Sequence, residues 1–435
     1  MSKKSMSEGI AMNRPVIRTA LGSLMAACLM TAAIAPAAAQ SFGGMPTITP
    51  QDRAKAKARA AAKQEELEKD KRLPRYVVVD QGGYAADQDV QSYSSIQDAI
   101  DNVAWGGVVV VRPGIYFEDL ELTRSVRIEG QGSGPSRPRI LPVKRTKAAT
   151  GENGLVDGSC VRFDPELPSE HVQIENVSFE PAWMQTDRSL IALYQDRFGG
   201  SVVMASEGLT EPCVDVRRGI FSMVGAAVDG AGHHNGELVK LAGGMALLEK
   251  NRVSGGRMGI AVSQTQPAWD RAVLIDNIVS NNYHQGVSLD GSASMLATGN
   301  LINTNGVGLS YSGSGPATLV GNKILDNASH GVLLEENARE VLVRLNQIWS
   351  NRGDGIKVIN SGGLIEDNDI DGNSGVEVST LGHLNSVPTI INDVQANTAS
   401  PAPVNRRQRN GIIDWQVGNR DTDTAVMTGA PVNRR

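Results

Sequence analysis

Cysteine is scarce in this chain: Cys28, Cys160 and Cys213 are the only three in 435 residues. So small a number excludes a disulfide-dense scaffold. Aromatic residues make up 4% against 47 glycines, the balance of a chain built from short strands and tight turns. Neither sign of charge prevails. Lys and Arg number 42 against 47 Asp and Glu, for a net charge of −5. That leaves no electrostatic footprint for nucleic acid, which is not an expected partner. After the N-terminal region no apolar run reaches the ~20 residues of a membrane span, so the mature chain is expected to have none. No cofactor and no metal site are expected. His233 and His234 are adjacent, and in a strand they point to opposite faces.

The N-terminus reads as a signal peptide over residues 1–39. Arg14 and Arg18 precede an apolar run from Thr19 to Ala35, and Ala37, Ala38 and Ala39 form a small-residue cleavage site. Met12 is an alternative start, and a lipoprotein cut before Cys28 is an alternative processing route. Either way the mature protein is expected in the periplasm or outside the cell. Cys160 and Cys213 then remain, and about two coils are expected to separate them, so both are expected as buried free thiols.

What the chain has in abundance is a repeat. Asn-x-(Ile/Val) returns at Asn251, Asn277, Asn300, Asn322, Asn346 and Asn368, spaced by 26, 23, 22, 24 and 22 residues. A short Gly-hydrophobic-x-hydrophobic strand follows most copies, as in Gly286-Val287-Ser288-Leu289. A fixed period in the low twenties with β-type alternation inside it means a solenoid. Within a coil, Ile348 points in and Trp349 out, then Ile356 in, Lys357 out and Val358 in. Asn351, Asn282, Asn305, Asn327 and Asn373 mark a second turn. Stacked coils place like residues above one another, so the first asparagine of each copy is expected to form an internal ladder. Asparagine also tolerates the left-handed backbone angles of turns.

The flanks are organised around that repeat. Residues 40–75 are expected to be a charged, partly helical linker, in which 51–72 alternate Ala with Lys, Arg and Glu. That stretch is also the candidate arm for an envelope protein partner. Ser94 or Ser95 can cap a helix whose Ile96, Ala99, Ile100 and Val103 share one face. Such a helix over 94–103 covers the open end of the first coil. Irregular coils are threaded between it and Asn251, with strands expected at Ile191–Leu193 and Val202–Met204 among others. The solenoid is expected over 76–395, and 396–435 as a disordered tail.

The run Ser95-Ile-Gln-Asp-Ala-Ile100, then Arg112-Pro-Gly-Ile-Tyr-Phe-Glu118, then Val126-Arg-Ile-Glu-Gly130 resembles the opening of right-handed parallel β-helix proteins of the pectin-lyase-like superfamily. Pectin methylesterases and alginate epimerases begin similarly. The resemblance implies an all-β, right-handed parallel β-helix of about eleven or twelve coils with an N-terminal capping helix. It implies an active cleft on the outer face of the sheet that carries Asp215 and Lys240. It transfers no catalytic residue. The epimerase Asp-Pro-His-Asp, for example, is matched only by Asp164-Pro165, which continues with Glu166 and Leu167.

The outward stripe of that sheet is expected to run Arg162, Ala192, Asp215, Lys240, Ala261, Ser288, Ser310, Leu333, Lys357 and Glu377. Two parts of it are charged. Asp215, Lys240 and His233 are the candidate catalytic set: a base could take the proton α to a uronate carboxylate while a cation holds the developing charge. Arg217, Asp229 and His234 adjoin them as substrate-binding candidates. Lys357 belongs to a second group with His330, Glu335, Asp354 and Glu377. Trp349, Tyr283, Trp269 and Trp183 are candidate rings for stacking on a sugar. Solvated charge ladders would explain both groups without chemistry. The preferred function is binding, or helping assemble, an envelope or extracellular polysaccharide. The alternatives are a lyase, epimerase or hydrolase acting on an acidic, uronate-containing glycan, and a structural or adhesive surface protein.

Overall fold

The computed structural model describes residues 50–82, 90–147, 153–156, 159–183, 187–198, 211–263, 270–292, 294–335, 340–381, 389–391 and 412–413. The signal-peptide segment with Cys28, Trp269, the expected strand Val202–Met204 and most of the tail lie outside these residues. The alanine- and charge-rich segment forms a helix, Pro50–Asp70, whose described side chains up to Lys69 are exposed. Among the described residues no helix is long and apolar enough to cross a membrane.

The rest is an all-β, right-handed parallel β-helix. A representative coil has three short strands: Arg271–Ile275, Ile278–Ser280 and Gln285–Leu289. They belong to three faces, here called A, B and C. Face A stacks twelve parallel strands, from Tyr76–Val79 to Thr389–Ile391, with two-residue strands at its edges. Faces B and C form one continuous sheet of eighteen strands. Complete turns number about nine. The eleven or twelve expected coils therefore correspond to the strands on face A, because the first and last of these lack companions on the other faces.

Alternation decides which side chains form the core. On face C, Ile260, Val287, Leu309, Val332 and Ile356 are in register and almost fully buried. Val253, Val279, Ile302, Ile324, Ile348 and Ile370 do the same on face B. Each such aliphatic side chain contributes about 1.5–3 kcal/mol on burial. Gly286 and Gly308 lie where face C leaves its turn. A Cβ on Gly286 would sit 2.8 Å from the Gly308 carbonyl oxygen, and one on Gly308 2.5 Å from that of Gly331. Only glycine allows the coils to stack that closely.

Two asparagine ladders run through the regular coils. Asn277 Nδ2 donates to Asn300 Oδ1 at 2.9 Å, and Asn300, Asn322 and Asn346 each repeat the bond to the next coil. The second ladder joins Asn282, Asn305, Asn327, Asn351 and Asn373 in the same way. Each rung's backbone N–H also donates to the next asparagine's Oδ1, as from Asn327 to Asn351 at 3.0 Å. The left-handed residue is not the ladder asparagine. It is the one just before, such as Asp276, Leu345 or Ser350, with φ of 53°, 55° and 55°. The asparagine itself is the buried amide that satisfies the turn's backbone groups.

The N-terminal end is closed by helix Ile96–Asn102, with Ile96, Ala99 and Ile100 buried. The Ser95 side chain accepts from the Asp98 N–H. Glu118, from the first coil, accepts from the Ser95 hydroxyl and from the backbone N–H of Ile96 and Gln97 at 2.9–3.0 Å. A carboxylate at a helix N-terminus satisfies free N–H groups and the helix dipole together.

Two expectations fail in the irregular coils. Residues 191–193 belong to a helix, Arg188–Phe198, not a strand. Leu190 and Tyr194, four apart, pack with Phe117, Leu141 and Trp183 in a small satellite core. Asp187 Oδ1 accepts from the Ser189 N–H at 2.9 Å, as a helix N-cap does. Because this helix is an excursion within one coil, strands Val161–Phe163 and Val214–Val216 are neighbours. Cys160 and Cys213 therefore face each other on adjacent coils and form a disulfide. The expectation of free thiols took the helix and its flanks for an additional turn.

Candidate functional site

The register of face C follows the sequence reading through most of its length. Arg162, Asp215, Lys240, Ala261, Ser288, Ser310, Leu333 and Lys357 are consecutive partners. Glu121 precedes them and Ser379 follows. Ala192 drops out because it is helical. Glu377 drops out because it is the register partner of Gly355, one position before Val378. In the coils before it, glycine at that position leaves room for the next coil's asparagine amide. A Cβ on Gly355 would lie 3.0 Å from Asn373 Nδ2. No further ladder asparagine follows Asn373 in the described residues, so a side chain fits there.

Asp215 is buried, at 4% exposure. Arg217 Nε donates to its Oδ2 at 2.9 Å, and Arg162 Nε lies 3.7 Å away. Arg217 and Arg218 also pair with Asp164. Lys240 is Asp215's neighbour on the next coil but forms no ion pair with it within 4 Å. The carboxylate is thus committed to two guanidinium groups in a charge ladder, which leaves it poorly placed as a base.

His233 is exposed and His234 buried, as strand alternation requires. His234 Nδ1 accepts from the Gly236 N–H at 3.2 Å, so its proton sits on Nε2, which donates to the Glu211 carbonyl at 2.9 Å. Both nitrogens are spent on backbone, and burial lowers the pKa below 6.5. His234 is a core group with no nitrogen left for a ligand.

Asp229 lies on face B, not on face C with Asp215. Its register partners are Ser254 and, beyond it, Ser280. Here the coils enclose a cleft of about 230 Å³ lined by Ser178, Glu180, Trp183, Asp229, Arg252 and Ser254, among others. One wall is Ala182–Trp183. Trp183 is itself buried, its Nε1 donating to the Pro142 carbonyl at 3.0 Å, so it anchors the loop and offers no open ring. Glu180 is held by a two-point pair with Arg139 at 2.6–2.7 Å. Asp229 accepts from the Ala231 N–H at 2.9 Å and stays exposed. Arg252 is exposed and forms no ion pair with another described residue. The cleft therefore combines a free cation, an accessible carboxylate and two serine hydroxyls. Of the lining residues, Asp229 and Trp183 were singled out in the sequence. The signal for the rest was the long excursion after Phe179, which builds the wall.

The second charged group is structural at its centre. Asp354 accepts from the Ser379 hydroxyl at 2.6 Å and from the Val376 N–H at 3.0 Å. His330 Nδ1 accepts from the Asp354 N–H at 3.0 Å. Burial lowers the His330 pKa, Asp354 opposes the shift and Lys357 adds to it. Lys357, one coil from Leu333, is half-buried beside them. The Tyr283 hydroxyl donates to Asn235 Oδ1 at 3.1 Å, with the ring 55% exposed. Trp349 is 36% exposed and lies on face B, in the outward column that begins at Asp229. Among the described residues no group of three or more His, Cys, Asp or Glu could hold a metal ion.

The family model for the right-handed β-helix region matches residues 229–394. No curated protein matches the chain. Among solved structures, the Azotobacter vinelandii mannuronan C-5 epimerase AlgE6 A-module is similar at 15% identity, covering 71% of this chain and 95% of that one, with a TM-score of 0.37. The Yersinia enterocolitica family 28 exopolygalacturonase is similar at 12% identity, covering 74% and 79%, with a TM-score of 0.39. The periplasmic alginate epimerase AlgG is similar at 12% identity over 74% and 88%, with a TM-score of 0.31.

Proposed function

We propose that the protein is a periplasmic or secreted polysaccharide-binding β-helix whose binding site is the face B cleft. The observation that carries this reading is the cleft's lining. Asp229, Ser178 and Ser254 offer acceptors and donors for hydroxyl groups, and Arg252 offers a cation without an ion-pair partner among the described residues. Glycan recognition needs that mixture of polar groups in a concave site. The Cys160–Cys213 disulfide supports an oxidising compartment. Acid–base chemistry by Asp215 and Lys240 gains no support, because Asp215 is already held by two arginines. The exposed helix Pro50–Asp70 is the segment through which an envelope protein would be engaged.

Calorimetric titration with oligouronates and neutral oligosaccharides tests the cleft. Asp229→Ala and Arg252→Ala are each expected to weaken glycan binding about tenfold, or about 1.4 kcal/mol. Unchanged affinity in both variants would sink the reading.

A further inference from the structure

We infer that the cleft is one end of a longer binding track along face B, which holds a linear acidic glycan and ends at Trp349. This rests on the glycan-binding reading of the cleft. The outward column starting at Asp229 continues in register through Ser254, Ser280, Asn303, Leu325 and Trp349. Five steps of about 4.8 Å make the track about 24 Å long. Each step is close to the length of one pyranose in an extended chain, so successive sugars meet successive coils.

Four features give this column a ligand. Asn303 Oδ1 is buried and accepts no hydrogen bond in the protein. It sits midway along the track, and a rotation of the half-buried side chain would present it to a sugar hydroxyl. Trp349 presents an accessible ring at the far end, large enough to stack on a sugar face. Arg252 and Lys323 lie in the neighbouring outward column, three steps apart along the same stack. Both are exposed, and neither forms an ion pair with another described residue. They can take the carboxylates of two uronate units. Leu325, between Asn303 and Trp349, offers an apolar patch to the C–H face of a ring. No helix or inserted loop of the described residues interrupts the column from Ser254 to Trp349.

The test is affinity against chain length. The full-length mature protein is titrated with oligouronates from two units to about eight, and with neutral oligosaccharides of the same lengths. Wild-type affinity should rise until the chain has about six units and then level off. Trp349→Ala and Lys323→Ala should each weaken long oligouronates about tenfold and leave two- and three-unit chains unchanged. Both side chains are exposed, so thermal melting should show both variants folded. If short and long chains bind alike, or if Trp349→Ala leaves long-chain affinity intact, the track is overturned and the cleft stands. If long neutral chains bind as tightly as long oligouronates, the acidic preference is overturned. If no oligosaccharide of any length binds, the cleft and the track fall together.

Discussion

The coils before Asn251 and the coils after it are the same fold held together in two ways. The later coils repeat every 22 to 26 residues and rely on two buried asparagine ladders and a column of glycines. The earlier coils have neither ladder. They use a disulfide, a satellite core of Phe117, Trp183 and Tyr194, and surface ion pairs such as Arg139–Glu180. Regular stacking holds each coil to 22 to 26 residues. Irregular stacking tolerates a hairpin at Lys144–Val156 and a helix at Arg188–Phe198. The cleft forms where these two regimes meet, between the wall at Ala182–Trp183 and the first regular coil at Arg252 and Ser254. A concave site on a solenoid needs the wall that only the irregular half supplies.

Three experiments would break or sharpen this contrast. The largest effect is expected from Cys160→Ser. The disulfide closes a loop across 53 residues, and loop-closure entropy makes it worth about 4 kcal/mol. Urea unfolding should show that loss, and a reducing agent should reproduce it in the wild type. Hydrogen exchange should then accelerate in strands 161–163 and 214–216 before it does in 300–371. Equal acceleration throughout would show that the two halves are not separately held.

The next effect belongs to the regular half. Asn327→Ala removes a buried amide that accepts from Asn305 N–H and Nδ2 and donates to Asn351. Buried groups left without partners should cost about 3 kcal/mol. The same change at Asn303, half-buried on the surface, should cost under about 0.5 kcal/mol. A small loss at Asn327 would mean that aliphatic packing, and not the ladder, holds these coils.

The smallest effect is on pH dependence. Burial lowers the pKa of His234 and His330 below the 6.5 of the unfolded chain. The unfolded state therefore binds protons first. The stability these histidines contribute is complete above about pH 6.5 and falls as the pH drops through that value toward their folded pKa values. The urea midpoint should decline between about pH 7 and pH 5, and His234→Gln should flatten that decline. An unchanged slope in the variant would show that His234 is not the group titrating.

The two halves also differ in how far they could be read from sequence. The ladders were legible because asparagine recurs at a fixed interval with alternation around it. The face C register from Arg162 to Lys357, without Ala192, was legible for the same reason. Where alternation is interrupted, the reading slipped. Ile191-Ala192-Leu193 alternates like a strand, but Leu190 and Tyr194 at helical spacing decide its structure. That slip put the two cysteines about two coils apart instead of on adjacent coils. The face B column escaped notice because Ser280 and Asn303 end three-residue strands at a turn. In sequence they look like turn residues. Only stacking shows that they share a column.

The Asn300-to-Asn322 period has a consequence of a different kind. Residues 300–321 make one whole coil, and both of its seams present the same asparagine bond. Removing that segment would let Asn277 meet Asn322 and close the ladder again. Trp349 would then stand one rung nearer Asp229. On the proposed track the repeat would act as a ruler: the number of coils between cleft and ring would set the length of chain that is measured, one sugar per graduation.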